Sequence, residues 1–532
     1  MKVVLACLVV ATACGNDGGV DTSPISYGSI GPLVGDAGKG GWRFGVASAA
    51  TQVEDMNPNT DWYEFTLPMA QGGLGKGTDF VGDAVRGYSL DLEDVGLVGD
   101  LGMDSYRFSI EWARIEPQKG VIDEAAIAHY RAELEALVAK GIRPLVTIHH
   151  FSNPIWTYDL HDVDCKNGPS ATNLCGFGGP GGAQIVQAMA DHAALLAQRF
   201  GDLVDEWGTV NEPLIWIFAA YGVGYFPPGK SALANPVALL VPALRDYLAA
   251  QAAMYHAIKA NDVIDADGDG VAAAVGFSMS VADWEPARSN KPSTDPADIA
   301  ARDRLVYLFH YLYVDAALTG GFDTNLDGVP DEMHPEWANT IDWLGLQYYF
   351  RAGVSADRAL FLGVAPCTTG LDNGACMPAP DPTYCSPRMG YEAWPDGLRT
   401  VIHGYADRYP NMPLVITESG ISSNVGARHA ETVVRILEAV EQTRKEGIDI
   451  RGYYHWSLTD NFEWAEGFGP HFGLYSVDHT TYARTPNEGA TVLTAIAKAR
   501  QITTAQRTTY GGKGPMSAEA GADASNPYCY KP

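Results

Sequence analysis

Val415-Ile416-Thr417-Glu418-Ser419-Gly420 decides how the chain is read. Three apolar or β-branched residues lead into one carboxylate, and Ser-Gly follows. This is the pattern of a short buried strand that ends by presenting Glu418 to a turn. Trp207-Gly208-Thr209-Val210-Asn211-Glu212-Pro213 has the same grammar, with Pro213 stopping the strand behind a second carboxylate, Glu212. Two strand ends that each deliver a carboxylate point to paired acid/base and nucleophile chemistry, provided the fold brings them together.

Working outward, strands are predicted at Trp42–Ala47, Ser105–Ser109, Pro144–His149, Glu206–Val210, Ala272–Ser278, Trp343–Tyr348, Leu414–Thr417 and Gly452–Trp456. Helical patterns follow them at Ser89–Leu101, Glu124–Lys140, Ala183–Phe200, Val237–Ala260, Ala297–Leu318, Pro395–Tyr409, Ala427–Glu446 and Asn487–Gln501. Eight strands, each followed by a helix, predict an α/β fold: a (β/α)8 TIM barrel forming one catalytic domain over residues 41–505. Glu212 then follows the fourth strand and Glu418 the seventh, where their ends can face each other across the barrel mouth. An open doubly wound sheet is the alternative, and no Gly-rich phosphate loop supports it.

The composition narrows the partners. Of 532 residues, 46% are hydrophobic and 19% charged, which predicts a folded chain with a sizeable core. The net charge of −28 disfavours nucleic acid and anionic lipid surfaces but leaves neutral small molecules unaffected.

The motifs are more specific. Thr209-Val210-Asn211-Glu212-Pro213 and Ile416-Thr417-Glu418-Ser419-Gly420 resemble the two signatures of glycoside hydrolase family 1, the β-glucosidase family. So do Phe44 to Glu54, Tyr106-Arg107-Phe108-Ser109-Ile110, His149-His150-Phe151 and Trp456 to Trp464, in family order along roughly residues 41–500. The resemblance implies a retaining exo-β-glycosidase that removes terminal β-D-glucosyl residues, with β-galactosyl or β-fucosyl tolerated, through a glycosyl-enzyme intermediate and without a cofactor. It implies Glu212 as acid/base, Glu418 as nucleophile, Arg107 as the cation beside the nucleophile and Tyr349 as a hydrogen-bond donor to it. Asn211 is implied at the sugar 2-hydroxyl. Gln52, His150, Glu463, Trp464 and Gln347 are implied around the sugar, with Trp456 as its platform. A pyranose suits such a set: an aromatic ring covers its apolar face, and bidentate Gln and Glu hold adjacent hydroxyls.

Three positions depart from the family pattern. Gln347 stands where Asn is usual, Ser419 replaces Asn after the nucleophile, and Tyr391 stands where Trp is frequent beside the leaving group. Glu463 argues against phosphorylated sugars, whose anionic charge it would repel. A transglycosylase on the same scaffold and a non-catalytic carbohydrate-binding lipoprotein are the alternative functions.

The remaining expectations concern the periphery. Residues 1–14 resemble a bacterial lipoprotein signal: Lys2, an apolar run from Val3 to Val10, then Ala11-Thr12-Ala13-Cys14. Export with a lipid anchor at Cys14 is expected, plain secretion being the alternative. Residues 15–40 read as a flexible tether, 351–394 as a Cys- and Pro-rich insertion, and 506–532 as an irregular tail. Six further cysteines in an exported chain predict disulfides Cys165–Cys175 and Cys367–Cys376, with Cys385–Cys529 left by elimination. Asp265-x-Asp267-x-Asp269-Gly270 and Asp323-x-Asn325-x-Asp327-Gly328-x-x-Asp331 resemble the start of calcium loops without the twelfth-position Glu. Structural calcium at adjacent loops on the N-terminal barrel face is one reading; polar turns are the other.

Overall fold

The computed structural model describes residues 21–519, except for 163–164, 232–235, 358–361, 368–373 and 378–381. Eight parallel strands close into a barrel: β1 Arg43–Ala47, β2 Ser105–Ser109, β3 Arg143–His149, β4 Glu206–Asn211, β5 Ala274–Arg288, β6 Trp343–Ser355, β7 Leu414–Ser419 and β8 Ile450–Trp456. Each pairs with the next, and β8 pairs with β1 to remove the last edge (Gly452↔Arg43, Trp456↔Ala47). The predicted eightfold alternation is present. Every residue of β1, β2, β4, β7 and β8 is buried, as strands covered on both faces must be. Close approach between β5 and β6 needs a glycine. A Cβ on Gly276 would lie 2.2 Å from the Trp343 carbonyl oxygen and 2.5 Å from its ring.

Strands β5 and β6 run well past their predicted ends. Their parallel pairing resumes above the barrel rim at Arg351↔Asp283 and continues to Val354↔Pro286. The extension buries Trp284, Val354 and Val364 in an apolar cluster of its own. This raises a ledge at the C-terminal face, beside the carboxylate-bearing strand ends. The predicted helix Ala297–Leu318 is also more complex, with α-helical Pro296–Val306 and Leu312–Thr319 joined through a π-helical turn at Tyr307–Tyr311.

Two peripheral expectations are corrected. Within the predicted tether, Ile25–Ser26 pairs antiparallel with Gln501–Ile502, and Leu33 is completely buried. Tyr27 packs against Trp42 and Phe44 at ring distances of 4.8 and 5.0 Å. Burying each such side chain contributes about 1.5–3 kcal/mol, enough to dock a short segment. The described part of the tail is likewise structured: Thr504–Tyr510 is a helix with a Thr503/Gln506 capping box, and Met516 is buried.

The disulfides Cys165–Cys175 and Cys367–Cys376 are both present, with Cα separations of 5.5 and 4.8 Å. Cys529, the expected partner of Cys385, and the expected anchor Cys14 lie outside the described residues.

Candidate active site

Glu212 sits where β4 gives way to the helix Pro213–Ile217. Its backbone is left-handed, with φ 39°, a conformation non-glycine residues adopt at a cost of roughly 1–3 kcal/mol. Strain of that kind persists where the surroundings fix it. Here the Glu212 amide donates to the Ser278 carbonyl at 2.8 Å, and Pro213 locks the next φ. Glu418 occupies the end of β7, and all of that strand is buried.

Three donors converge on Glu418. Arg107 Nη1 reaches Oε1 at 2.5 Å, Gln347 Nε2 reaches the same oxygen at 2.6 Å, and the Tyr349 hydroxyl donates to Oε2 at 2.7 Å. Asn211 ties the two strand ends together, its Oδ1 accepting from Arg107 Nη2 at 2.5 Å and from Gln347 Nε2 at 2.7 Å. Gln347 thus reaches the nucleophile across the extra methylene that distinguishes it from Asn.

The electrostatics of the two carboxyls differ. Burial raises the pKa of both. At Glu418 the charge of Arg107 and the hydrogen bonds from Tyr349 and Arg107 oppose that rise. At Glu212 the charge of Glu418 adds to burial and pushes the carboxyl well above the usual carboxylate range. Their titrations are linked, and the proton rests on Glu212. A hydrogen bond from Ser280 is the largest influence favouring ionised Glu212. Ser280 lies two residues beyond the predicted end of the fifth strand at Ser278, on the stretch of β5 that the sequence pattern does not reveal.

The predicted sugar-binding residues gather around the pair. Gln52 Nε2 donates to the Phe462 carbonyl at 2.9 Å and to Glu463 Oε2 at 3.3 Å. Glu463 also accepts from Trp456, and burial followed by the charge of Glu418 raises its pKa to about 8. The His150 ring stacks near Trp456 and Trp464, at 6.0 and 5.9 Å between centroids. Burial, then the charge of Arg107, keeps that imidazole neutral. Gln52 Oε1 and His150 Nδ1 are buried without a hydrogen-bond partner among the described residues. An amide acceptor and a ring nitrogen flanked by indoles are what a ring of sugar hydroxyls would satisfy.

The Asp-rich loops lie elsewhere. Asp265 accepts the amides of Gly268, Asp269 and Gly270 at 2.9–3.0 Å. Arg143, which opens β3 at the N-terminal face, pairs with Asp267 at 2.8 Å and Asp269 at 2.9 Å. Among the described residues, the three carboxylates that come within 4.8 Å of one another are Asp205, Asp265 and Asp267, so Asp205 stands in the predicted place of Asp269. In the second loop Asp323 accepts from Asp327 and Gly328 at 3.1 and 2.7 Å and from the Tyr307 hydroxyl at 3.0 Å. Asn325 accepts from Asp327, while Asp331 turns to Thr324. Arg304, on the outer helix, also donates to the Leu326 carbonyl at 3.0 Å. The two loops are therefore held by different elements, Arg143 at the barrel base and the helix bearing Arg304.

Known proteins resemble this chain in sequence and fold. A sequence profile of Glycosyl hydrolase family 1 matches residues 39–502. A Beta-galactosidase of Pyrococcus woesei is 29% identical over 500 residues, covering 84% of this chain and 94% of its own. A Beta-glucosidase of Agrobacterium sp. is 29% identical, covering 86% and 95%. The solved beta-glycosidase from Pyrococcus horikoshii superposes with a TM-score of 0.73 at 26% identity, covering 91% of this chain and 99% of that one. With the barrel, both strand-end carboxylates and the three donors on Glu418 in place, the match over nearly the whole barrel makes this chain a member of glycosyl hydrolase family 1.

Proposed function

We propose that the protein is a retaining exo-β-glycosidase that releases terminal, unphosphorylated β-D-glucosyl residues and accepts β-galactosyl or β-fucosyl residues less readily. The observation that carries this reading is the split between the carboxyls. Three donors hold Glu418 as a carboxylate, while burial and the charge of Glu418 keep Glu212 protonated.

In the first step Glu418 attacks the anomeric carbon. The bond to the leaving oxygen breaks, and Glu212 gives that oxygen its proton. Glu418 is then an ester, so its charge no longer raises Glu212, which is now ionised and ready to act as base. In the second step a water attacks the anomeric carbon, Glu212 takes the proton, and Glu418 leaves as carboxylate. Two inversions give net retention. Arg107 and Gln347 hold Asn211 at the strand end, which supports a role for it at the 2-hydroxyl, where a hydrogen bond can strengthen in the transition state. Glu463 and Gln52 supply the paired polar groups for two adjacent hydroxyls. Glu463 supports the unphosphorylated sugar, because an acidic side chain offers a phosphoryl group no counter-charge whether it is protonated or ionised.

NMR observation of the first-released sugar from an aryl β-D-glucoside tests the reading. The β-anomer is expected first. Release of the α-anomer first, or turnover of 6-phosphoglycosides alone, would overturn it.

A further inference from the structure

The family match ends at residue 502, and the described residues continue as a strap to residue 519. Glu519 in that strap is a carboxylate with a specific set of partners. Glu519 accepts from the Ser423 hydroxyl, from the Asn424 amide at 3.3 Å and from Arg428 Nη1 at 2.8 Å. Its side chain and that of Arg428 are nearly or wholly buried. Ser423 and Asn424 lie in the loop that leaves the nucleophile strand. Arg428 carries the connection onward, with its Nη2 donating to the carbonyls of Thr383 and Cys385 at 2.5 and 2.8 Å. Those two residues open a small antiparallel hairpin in which Ser386 pairs with Tyr391 and Cys385 with Glu392.

The strap grips the same hairpin a second time. The Met516 amide donates to the Thr383 hydroxyl at 2.9 Å, and Gly514 exchanges hydrogen bonds with the Tyr384 hydroxyl. Met516 also packs with Tyr384, Ala393 and Ile421 in a separate apolar cluster. Ile421 belongs to the loop after the nucleophile, and Tyr384 and Ala393 to the hairpin. One short segment thus joins the two.

The hairpin forms part of the site's wall. Its Tyr391 ring stacks on Phe350, 4.9 Å between centroids and 23° apart. Phe350 follows Tyr349, the donor to Glu418. Tyr391 is close enough to Glu463 and Glu212 for their charges to raise its hydroxyl pKa further, and its hydroxyl bonds to Ser386. Ser386 in turn reaches Ser422 at 3.3 Å, back in the post-nucleophile loop.

We propose that Glu519 is a positioning residue for the leaving-group wall of the active site. Its carboxylate locks the loop beyond Glu418 to the hairpin that presents Tyr391, so a segment outside the family match sets how the aglycone is held. The inference rests on the glycosidase reading above. Glu519 touches neither substrate nor reacting atoms, so its removal should be felt where the leaving group is large and not where it is one atom.

Glu519→Gln in the full chain tests this with two substrates that share a glucosyl group, 4-nitrophenyl β-D-glucoside and β-D-glucosyl fluoride. The expected result is a rise in KM for the aryl glucoside of roughly three- to tenfold, with KM and kcat for the fluoride within about twofold of wild type. A strap that only stabilises the fold would lower the melting temperature and leave both substrates alike. Equal changes for the two substrates, or no change in either, would overturn the proposal. Ser423→Ala removes one partner of Glu519 with less disturbance and is the second variant, held to the same pattern, should Glu519→Gln fail to fold. Wild-type protein that cleaves neither substrate would instead overturn the activity reading.

Discussion

Gln347 donates its amide to the carboxylate of Glu418 at 2.6 Å, and the same nitrogen reaches Asn211. The longer side chain thereby keeps the nucleophile and the strand end that carries Glu212 on one donor. Its other amide atom, Oε1, is buried without a partner among the described residues.

Replacing Gln347 with Met keeps the length and removes the donor. We expect kcat/KM for an aryl β-glucoside to fall by roughly tenfold to a hundredfold. The pH profile should change as well. Activity needs Glu418 ionised, and the amide favours that form. Without it the carboxyl pKa rises, so the acidic limb moves to higher pH. A pH profile with an unmoved acidic limb would show that Arg107 and Tyr349 alone hold the charge.

Ser280→Ala should act on the opposite limb. The hydroxyl favours ionised Glu212, so its loss raises the pKa of that carboxyl. Glu212 must be protonated for the first step, and the rate is lost as pH rises through its pKa. The basic limb of kcat/KM should therefore shift upward, on the order of one pH unit or less. A downward shift would contradict the geometry.

Glu463 trades stability for binding. Its carboxyl titrates at about 8 in the folded chain against 4.5 for an ordinary glutamate. Between those values the native state holds a proton that the unfolded state has lost, so stability falls as pH rises through this window. Glu463→Gln removes that dependence. Its melting temperature should exceed that of wild type at pH 8, with the difference vanishing near pH 4, while KM for β-glucosides rises. Differential scanning calorimetry at the two pH values checks the first part, and steady-state kinetics the second.

Chelation should leave catalysis alone. Asp205, Asp265 and Asp267 precede β4 and β5, at the opposite end of the barrel from Glu212 and Glu418. With EDTA present, kcat/KM below the melting transition should equal that without it. A lower melting temperature in EDTA, with calcium found by elemental analysis, would mark these loops as cation sites. An unchanged curve and no metal would leave them as polar turns.

Much of the fold was legible because each barrel strand is a short apolar run closed by a turn residue. The two reacting carboxylates were legible because they end two such runs in recognisable motifs. What escaped shares one physical cause, pairing between segments far apart in the chain. Residues 279–288 mix Asp283, Glu285 and Pro286 with apolar neighbours, and they become strand only because β6 offers them a partner beyond the rim. Ser280 was lost with that extension. Leu33 and Ile25 are isolated in a Gly- and Ser-rich stretch, so no periodicity announces that they dock. Asp205 joins a loop some sixty residues away, and Glu519 is a single carboxylate in a low-complexity tail.

The short ladder between Ile25–Ser26 and Gln501–Ile502 does more than tidy two ends. Tyr27 donates to the Arg500 carbonyl at 2.9 Å, and Arg507 donates to the Ser23 carbonyl. Residues 23–27 are thus the bed on which the helix Thr504–Tyr510 begins, and that helix leads directly into the strap that carries Glu519. A protease nick near residue 28 would strip away this bed, and the slack would run through the C-terminal segment to the wall that faces the leaving group. Damage at the front of the chain would be registered as a change in which glycosides are taken.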